Sequence, residues 1–190
     1  MPVEAAVAEP AERLLPGHGK RRRTVPRFGL WCGCDPQASP AELKAKYKQL
    51  RSRRIGCVLI SGVDDREFEI IREAGIEVHC WMWTTNRADA WIRKNHSDWD
   101  KWPLDAACPM LYNSFFDEPV EWIGEMVLEN VRAVDFPVIA GLYVPAFQSP
   151  EEFAKGLASV RLRGSHGVSL FGAIGEPMWR AFEKAVESWS

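Results

Sequence analysis

Two hydrophobic patterns alternate along the chain from residue 27 onward. Short, nearly continuous apolar runs such as residues 55–60 are typical of parallel strands that are buried on both faces. The segments between these runs place apolar side chains at helical spacing, as Leu43, Tyr47 and Leu50 do, and carry charged residues at most other positions. This alternation predicts repeated βαβ units and a parallel sheet.

The cap and turn residues agree with this division. Ser39 and Ser149 each precede a proline, which is the order expected for a helix N-cap followed by the first helical position. Gly75 and Gly164 stand where two of the helices are expected to end. The six predicted strands cover residues 28–32, 55–60, 76–83, 106–112, 137–144 and 167–171.

Chain length and strand number define the predicted architecture. The 190 residues favour a single domain, which we place at residues 27–190, after a disordered leader over residues 1–26. The strand runs fit either a barrel or an open doubly wound sheet, but no glycine-rich dinucleotide motif follows the first strand. Complete (β/α) barrels usually take about 250 residues. We therefore expect an α/β fold, namely an incomplete or contracted (β/α) TIM-like barrel of about six parallel strands with outer helices.

Charge and composition exclude several classes of function. The net charge of −2 argues against nucleic-acid binding, which usually needs a strongly basic face. No apolar run approaches the roughly 18 residues that a membrane helix requires. Residues 1–20 lack the apolar core of a secretion signal, so we expect a soluble, cytoplasmic protein with no membrane partner. The spacing of the cysteines and histidines does not suggest a zinc site, and we expect no metal and no cofactor.

Aromatic and polar side chains gather at the predicted carboxyl ends of the strands, where (β/α) barrels place their working residues. Flat rings pack against the C–H faces of sugars, whereas amide and imidazole groups bond to hydroxyl groups. A carbohydrate is therefore the expected ligand. The candidate substrate-binding residues are Trp31, His79, Trp81, Trp83, Tyr112, Asn113 and Tyr143.

Whether three of these residues can contact a ligand depends on the orientation of the strand predicted over residues 76–83. His79, Trp81 and Trp83 share one face of their strand, because alternate residues point to opposite sides. They line the mouth of the barrel if that face is the interior, and they are packing residues if it faces the helices.

Three acidic residues are candidates for catalysis. Glycoside hydrolysis normally uses two carboxyl groups. Asp35, Asp117 and Glu118 each follow a predicted strand. Asp117 and Glu118 also precede a helix, where acidic residues commonly interact with the helix dipole, so a structural role is the alternative for this pair.

Six short motifs, taken in order, resemble a known family. They lie at residues 28–31 (FGLW), 76–83 (IEVHCWMW), 108–112 (CPMLY), 121–123 (EWI), 141–144 (GLYV) and 167–171 (GVSLF). Over residues 28–187 this order resembles the family 10-like glycosyl hydrolases with a TIM-barrel fold. The resemblance implies a barrel that acts on glycosidic bonds, with its catalytic carboxylates on a middle strand of Asp-Gly-apolar-apolar-apolar-Asp type. That motif is absent from this chain, and the short segment between residues 83 and 106 indicates that two or so βα units are missing.

These observations leave several functions open. The favoured one is a glycoside-hydrolase-like protein that acts on or binds a carbohydrate, and whether it is an enzyme is left open because the acidic strand is absent. The alternative is a non-catalytic carbohydrate-binding or interaction protein, and a third is a small-molecule-binding α/β domain of another family. A wall of about six strands leaves open edges, so a homodimer formed through those edges is a further expectation.

Overall fold

The structure is a computed structural model that describes residues 25–61, 64–80 and 105–189 of the chain. The predicted leader lies outside the described residues except for Val25 and Pro26. Trp81 and Trp83, two of the predicted ligand residues, also lie outside them.

A parallel sheet of five strands forms the centre of the described region. The first strand pairs with the second on one side and with the last on the other, and every pairing is parallel. The spatial order is β3-β2-β1-β5-β4, which confirms the α/β fold with a parallel sheet. The strands are β1 (Phe28–Gly33), β2 (Cys57–Ser61), β3 (Glu77–Cys80), β4 (Ile139–Tyr143) and β5 (Gly167–Phe171).

The strand predicted over residues 106–112 is present only as two isolated parallel bridges. Ala107 pairs with Val138 and Met110 pairs with Gly141, so this segment runs along the free edge of β4. Pro109 lies between the two bridges and has no N–H to donate, although its carbonyl oxygen accepts the Gly141 N–H at 2.8 Å. The proline therefore interrupts the regular ladder that the apolar pattern predicted.

The helices begin where their capping residues predicted. Ser39 accepts the Glu42 N–H and the Glu42 side chain bonds back to Ser39, which forms a capping box. Asp64 and Ser149 cap two further helices through their side-chain oxygens, which accept the N–H groups of Glu67 and Glu152. The helices are α1 (Pro40–Ser52), α2 (Asp65–Glu73), α3 (Val120–Ala133), α4 (Pro150–Leu162) and α5 (Glu176–Val186), with short 3-10 helices at Asn113–Phe115 and Val144–Ala146.

Two glycines end helices as predicted. Gly75 follows α2 with φ of 72° and Gly164 follows α4 with φ of 90°. This left-handed backbone is easy for glycine and strained for most other residues. Among the described residues, no helix is long and apolar enough to span a bilayer.

The two faces of the sheet differ in what covers them. The five helices of the described residues all contribute to one buried core, and the strand residues of that core fall at alternate positions along each strand. We call this side the outer face. Its centre is fully buried and aliphatic, and it consists of Val58, Ile60, Ala140, Leu142, Val168 and Leu170.

The opposite side, which we call the inner face, is formed by the remaining strand positions. Its side chains include polar, aromatic and thiol-bearing groups beside the aliphatic Leu59 and Ile139, in contrast to the wholly aliphatic centre of the outer face. The inner face carries Gly29, Trp31, Cys57, Leu59, Glu77, His79, Ile139, Tyr143, Ser169 and Phe171.

Candidate functional site

Aromatic side chains from four segments meet at the carboxyl end of the inner face. The rings of Tyr112 and Phe171 are stacked, with centroids 5.7 Å apart and planes 9° apart. Tyr143 lies 5.6 Å from Phe171 and 5.4 Å from Phe115, centroid to centroid. Trp31 approaches Phe171 edge-on at 6.4 Å. We refer to Trp31, Tyr112, Phe115, Tyr143 and Phe171 as the aromatic cluster.

The cluster has a buried base and an exposed tip. Tyr112 is only 6% exposed, whereas Phe115 is 66% exposed. Phe115 stands at the end of a 3-10 helix that follows Tyr112 directly, and it packs against both Tyr112 and Tyr143. A large exposed ring that rests on the buried Tyr112 ring and the partly exposed Tyr143 ring is held in place without being covered, so its free side is available to a ligand.

Phe115 and its neighbour Phe116 were not among the predicted site residues. Phe116 is 62% exposed and packs against the Trp122 ring at 5.3 Å. The sequence signal that identifies both is the pair of consecutive phenylalanines inside the otherwise polar segment 113–118. Apolar residues in such a loop do not follow the period of a helix or strand and so belong to no buried face of an element. We therefore expect their rings to be exposed.

Cys108 connects the aromatic cluster to the middle of the inner face. Burial raises the pKa of the Cys108 thiol to about 11, while Ser169 and Trp31 beside the sulfur act in the opposite direction. Burial also raises the pKa of the Tyr112 hydroxyl, with a further contribution from Cys108. Both groups are therefore neutral at physiological pH, and this part of the inner face carries no charge of its own.

Asn113 holds the loop that presents the cluster's exposed ring. Its Nδ2 donates to the Glu118 carbonyl oxygen at 2.9 Å, and the Glu118 N–H donates to the Asn113 carbonyl oxygen at 3.0 Å. These two bonds close the segment 113–118 into a compact turn, in which Asp117 adopts a left-handed backbone with φ of 57°. Asn113 thus positions the loop, and Asp117 and Glu118 are exposed beside the aromatic cluster.

Asp35 has contacts of a different kind. Its Oδ1 accepts the backbone N–H groups of Gln37 and Ala38, each at 3.2 Å, so the carboxylate shapes the loop after β1. Its own N–H donates to Glu67 Oε2 at 2.9 Å. The contacts of the described residues do not bring Asp35 together with Asp117 or Glu118.

Glu67 is the buried anchor behind that loop. It has no exposed surface, and it accepts the Tyr47 hydroxyl at 2.5 Å and lies 3.5 Å from Lys46 Nζ. Burial and the hydrogen bond to Glu67 raise the pKa of Tyr47 far above its usual range. The network joins α1, α2 and the loop after β1, which explains why a carboxylate is tolerated inside the core.

A separate cavity of about 330 Å³ lies on the amino half of the inner face. Its buried wall includes Ile139, Cys57 and Ser169, and its rim carries Glu77, His79 and Asp105. We call it the inner-face cavity. His79 Nε2 lies 3.2 Å from Glu77 Oε2, and both side chains are about half exposed.

Gly29 shapes the floor of the inner-face cavity. A Cβ atom at Gly29 would lie 3.0 Å from Cys57 Sγ and 3.4 Å from Ser169 Oγ, so the missing side chain lets these two groups converge. Burial raises the pKa of the Cys57 thiol to about 12, which keeps it neutral. Within residues 25–61, 64–80 and 105–189, no group of three or more His, Cys, Asp or Glu side chains is arranged to hold a metal ion.

The predicted ligand residues therefore divide between two places. Trp31, Tyr112 and Tyr143 are brought together in the aromatic cluster. His79 is on the same face, which is the face without helices, but it lines the inner-face cavity towards the amino end. Asp35 lies apart from both places.

Comparisons with known proteins give distant likenesses. A scan against protein-family models finds no match, and a search of curated protein sequences finds none either. A designed cube-shaped, highly porous protein cage matches at 15% identity over 87% of this chain and 74% of that chain, with a TM-score of 0.36. Biliverdin reductase from Synechocystis sp. PCC 6803 matches at 14% identity over 76% of this chain and 37% of that chain, with a TM-score of 0.23. A mandelate racemase/muconate lactonizing protein from Herpetosiphon aurantiacus matches at 13% identity over 86% of this chain and 52% of that chain, with a TM-score of 0.27.

Proposed function

We propose that this protein binds carbohydrate through the aromatic cluster at the carboxyl end of its parallel sheet. The observation that carries the proposal is the exposed ring of Phe115, which is supported from behind by Tyr112 and Tyr143. An exposed ring that packs against two other rings gives a sugar a flat apolar face at little entropic cost, because the protein side is already ordered. The neighbouring turn 113–118 adds amide and carboxylate groups for hydroxyl contacts.

The sheet, on this proposal, is the wall of a contracted (β/α) barrel. Read as β4-β5-β1-β2-β3, the connections β4 to β5, β1 to β2 and β2 to β3 each advance one place in the same direction. Right-handed crossovers that all advance in one direction place their helices on one side of the sheet, in agreement with the single helix-covered core.

The burial of inner-face residues supports curvature of the sheet. Ser169 is 1% exposed and Cys57 is 6% exposed, although both point away from the helices. Curling the sheet on itself covers such residues, as in the packed interior of a barrel. The proposal keeps the resemblance to the family 10-like glycosyl hydrolases, with this chain as a shortened form of that barrel.

Calorimetric titration with soluble oligosaccharides tests the binding proposal. A panel of β-glucan, xylan, chitin and α-glucan oligosaccharides is expected to include at least one ligand. Phe115→Ala should weaken that ligand's binding by about fivefold, because the loss of one stacking ring costs roughly 1 kcal/mol.

The matched control is Leu162→Ala, which removes another exposed apolar side chain from the end of α4. It should leave the dissociation constant unchanged. The proposal fails if none of the oligosaccharides binds, or if Phe115→Ala and Leu162→Ala bind the ligand equally well.

Hydrolysis is the second candidate function, and the position of Asp117 and Glu118 favours it. Both carboxylates follow Phe115 and Phe116 in the same turn, and the left-handed backbone of Asp117 is a conformation often found at functional sites. Release of reducing ends from polysaccharides, lost in Glu118→Gln while binding persists, would support this candidate. Binding without any release of reducing ends would identify a non-catalytic carbohydrate-binding protein.

Homodimerisation through open strand edges stays a prediction of the shortened barrel. Size-exclusion chromatography with light scattering measures the mass in solution directly. A dimer that survives dilution supports pairing of the edges, whereas a stable, cooperatively folding monomer contradicts it.

A further inference from the structure

The inner-face cavity is distinct from the aromatic cluster. The cavity includes Cys57 and Glu77, which begin β2 and β3, whereas the cluster includes Tyr143 and Phe171, which end β4 and β5. Parallel strands place their starts at one end of a sheet and their ends at the other. A ligand in the cavity would therefore not compete directly with a ligand on the exposed ring of Phe115.

The wall of the inner-face cavity is apolar and preformed. Leu59 and Ile139 supply aliphatic surface, and Ile139 is 8% exposed. Cys57 and Cys108 add thiols that burial keeps protonated, so they are neutral surfaces rather than nucleophiles or metal ligands. A volume of about 330 Å³ falls within the range of small-molecule sites in proteins.

The rim of the cavity is acidic. Glu77 lines the rim from β3. Asp105 lines it from the start of the segment that runs along the free edge of β4. Both side chains are exposed. None of the described lining residues is Lys or Arg. His79 is the one basic side chain among the described lining residues, and its Nε2 lies 3.2 Å from Glu77 Oε2.

We infer that the inner-face cavity is a second ligand site, which takes a small amphiphile with an apolar body and a cationic head, such as a short alkylamine. The apolar body contacts Leu59 and Ile139 on the wall, and the ammonium group lies between Glu77 and Asp105 at the rim. An anionic head at the same rim would meet the carboxylates of Glu77 and Asp105, and the described lining residues offer it no Lys or Arg side chain. The acidic rim beside an apolar wall therefore favours a cationic head group over an anionic one.

Hexylamine, hexanol and hexanoate form a matched set of probes, since they share a six-carbon chain and differ in the charge of the head. Their dissociation constants are measured on the full-length protein by NMR titration. Hexylamine should bind about fivefold more tightly than hexanol, the increment expected for ion pairs at a partly exposed rim. Hexanoate should bind more weakly than hexanol.

Two variants separate the contribution of the rim from that of the wall. In Glu77→Gln/Asp105→Asn, the affinity for hexylamine should fall to that for hexanol, and hexanol binding should not change. In Ala107→Leu, the larger side chain occupies part of the cavity and should weaken the binding of all three probes. Glu73→Gln, which removes an exposed carboxylate from α2, is the matched control and should change nothing.

The thermal midpoint of each variant, measured without ligand, establishes that it is folded. The inference is overturned if hexylamine and hexanoate bind equally, if no probe binds, or if the double variant keeps the preference for hexylamine. The NMR titration also distinguishes this site from the proposed carbohydrate site, because hexylamine should leave the resonances of Phe115 and Tyr143 unshifted.

Discussion

The outer and inner faces of the sheet are built from the same strands and yet differ in chemistry. At neighbouring positions of β5, Leu170 packs among helices with no exposed surface, whereas Ser169 points to the other side and lies beside the Cys108 thiol. The outer face is aliphatic throughout its centre, which suits a side whose task is burial. The inner face carries rings, thiols, an imidazole and carboxylates, which are costly as plain packing. The difference indicates that the outer face stabilises the fold and that the inner face is free to carry function.

Removing a side chain from the outer face gives the largest expected effect. Leu170→Ala should lower the free energy of unfolding by about 2–5 kcal/mol, because it leaves a cavity in a fully buried core. Ser169→Ala, one residue away on the inner face, should cost below about 1 kcal/mol. Urea denaturation of both variants measures the contrast. Equal losses at the two positions would remove the distinction between the faces.

Loss of the buried hydrogen bond between Tyr47 and Glu67, on the helix side of the sheet, should give the second largest effect on the free energy of unfolding. Tyr47→Phe deletes the hydroxyl that bonds to Glu67 Oε1 and leaves a fully buried carboxylate with one partner fewer. The free energy of unfolding should fall by about 1–3 kcal/mol. Tyr143→Phe, the same chemical change on a partly exposed inner-face ring, should stay within about 0.5 kcal/mol. A larger loss from Tyr143→Phe than from Tyr47→Phe would contradict the ranking.

Of the three main contributions to the free energy of unfolding, that of the Cys108 thiol on the inner face is expected to be the smallest, and it depends on pH. Burial raises the pKa of Cys108 from 9.0 to about 11 in the folded protein. The neutral thiol therefore stabilises the fold below pH 9.0, and this contribution is lost as the pH rises through about 11. Between these values the unfolding free energy should fall by about 1–2 kcal/mol more in the wild type than in Cys108→Ala. Denaturation curves with the same pH dependence for both proteins would show that the thiol is not buried in solution.

Local sequence signals predicted the helix boundaries well, because each cap is decided by residues close together in the chain. Ser39 with Glu42 forms its capping box within three residues, and Gly75 adopts the left-handed backbone that ends α2. The predicted strand over residues 106–112 shows the limit of apolar patterning. Leu111 and Tyr112 at its end are buried, but Met110 is 44% exposed, and Pro109 removed a donor that a regular ladder needs.

The candidate site was predictable only in part, because it depends on which strands become neighbours. Trp31, Tyr112 and Tyr143 were identified from their positions near strand ends, and they do meet. Asp35 follows a strand as well, yet its Oδ1 is used to close its own loop. No strand rule pointed to Phe115, since its exposure depends on a turn held by a side-chain bond from Asn113.

Chemical-shift mapping of an oligosaccharide on the isotopically labelled protein tests the central claim most directly. We predict that titration with an oligosaccharide that binds in the calorimetric panel shifts the backbone resonances of Phe115, Tyr143 and Phe171, and leaves those of α4 and α5 unchanged. Shifts confined to the helices, or an absence of shifts with every oligosaccharide of the panel, would contradict the assignment of carbohydrate binding to the aromatic cluster.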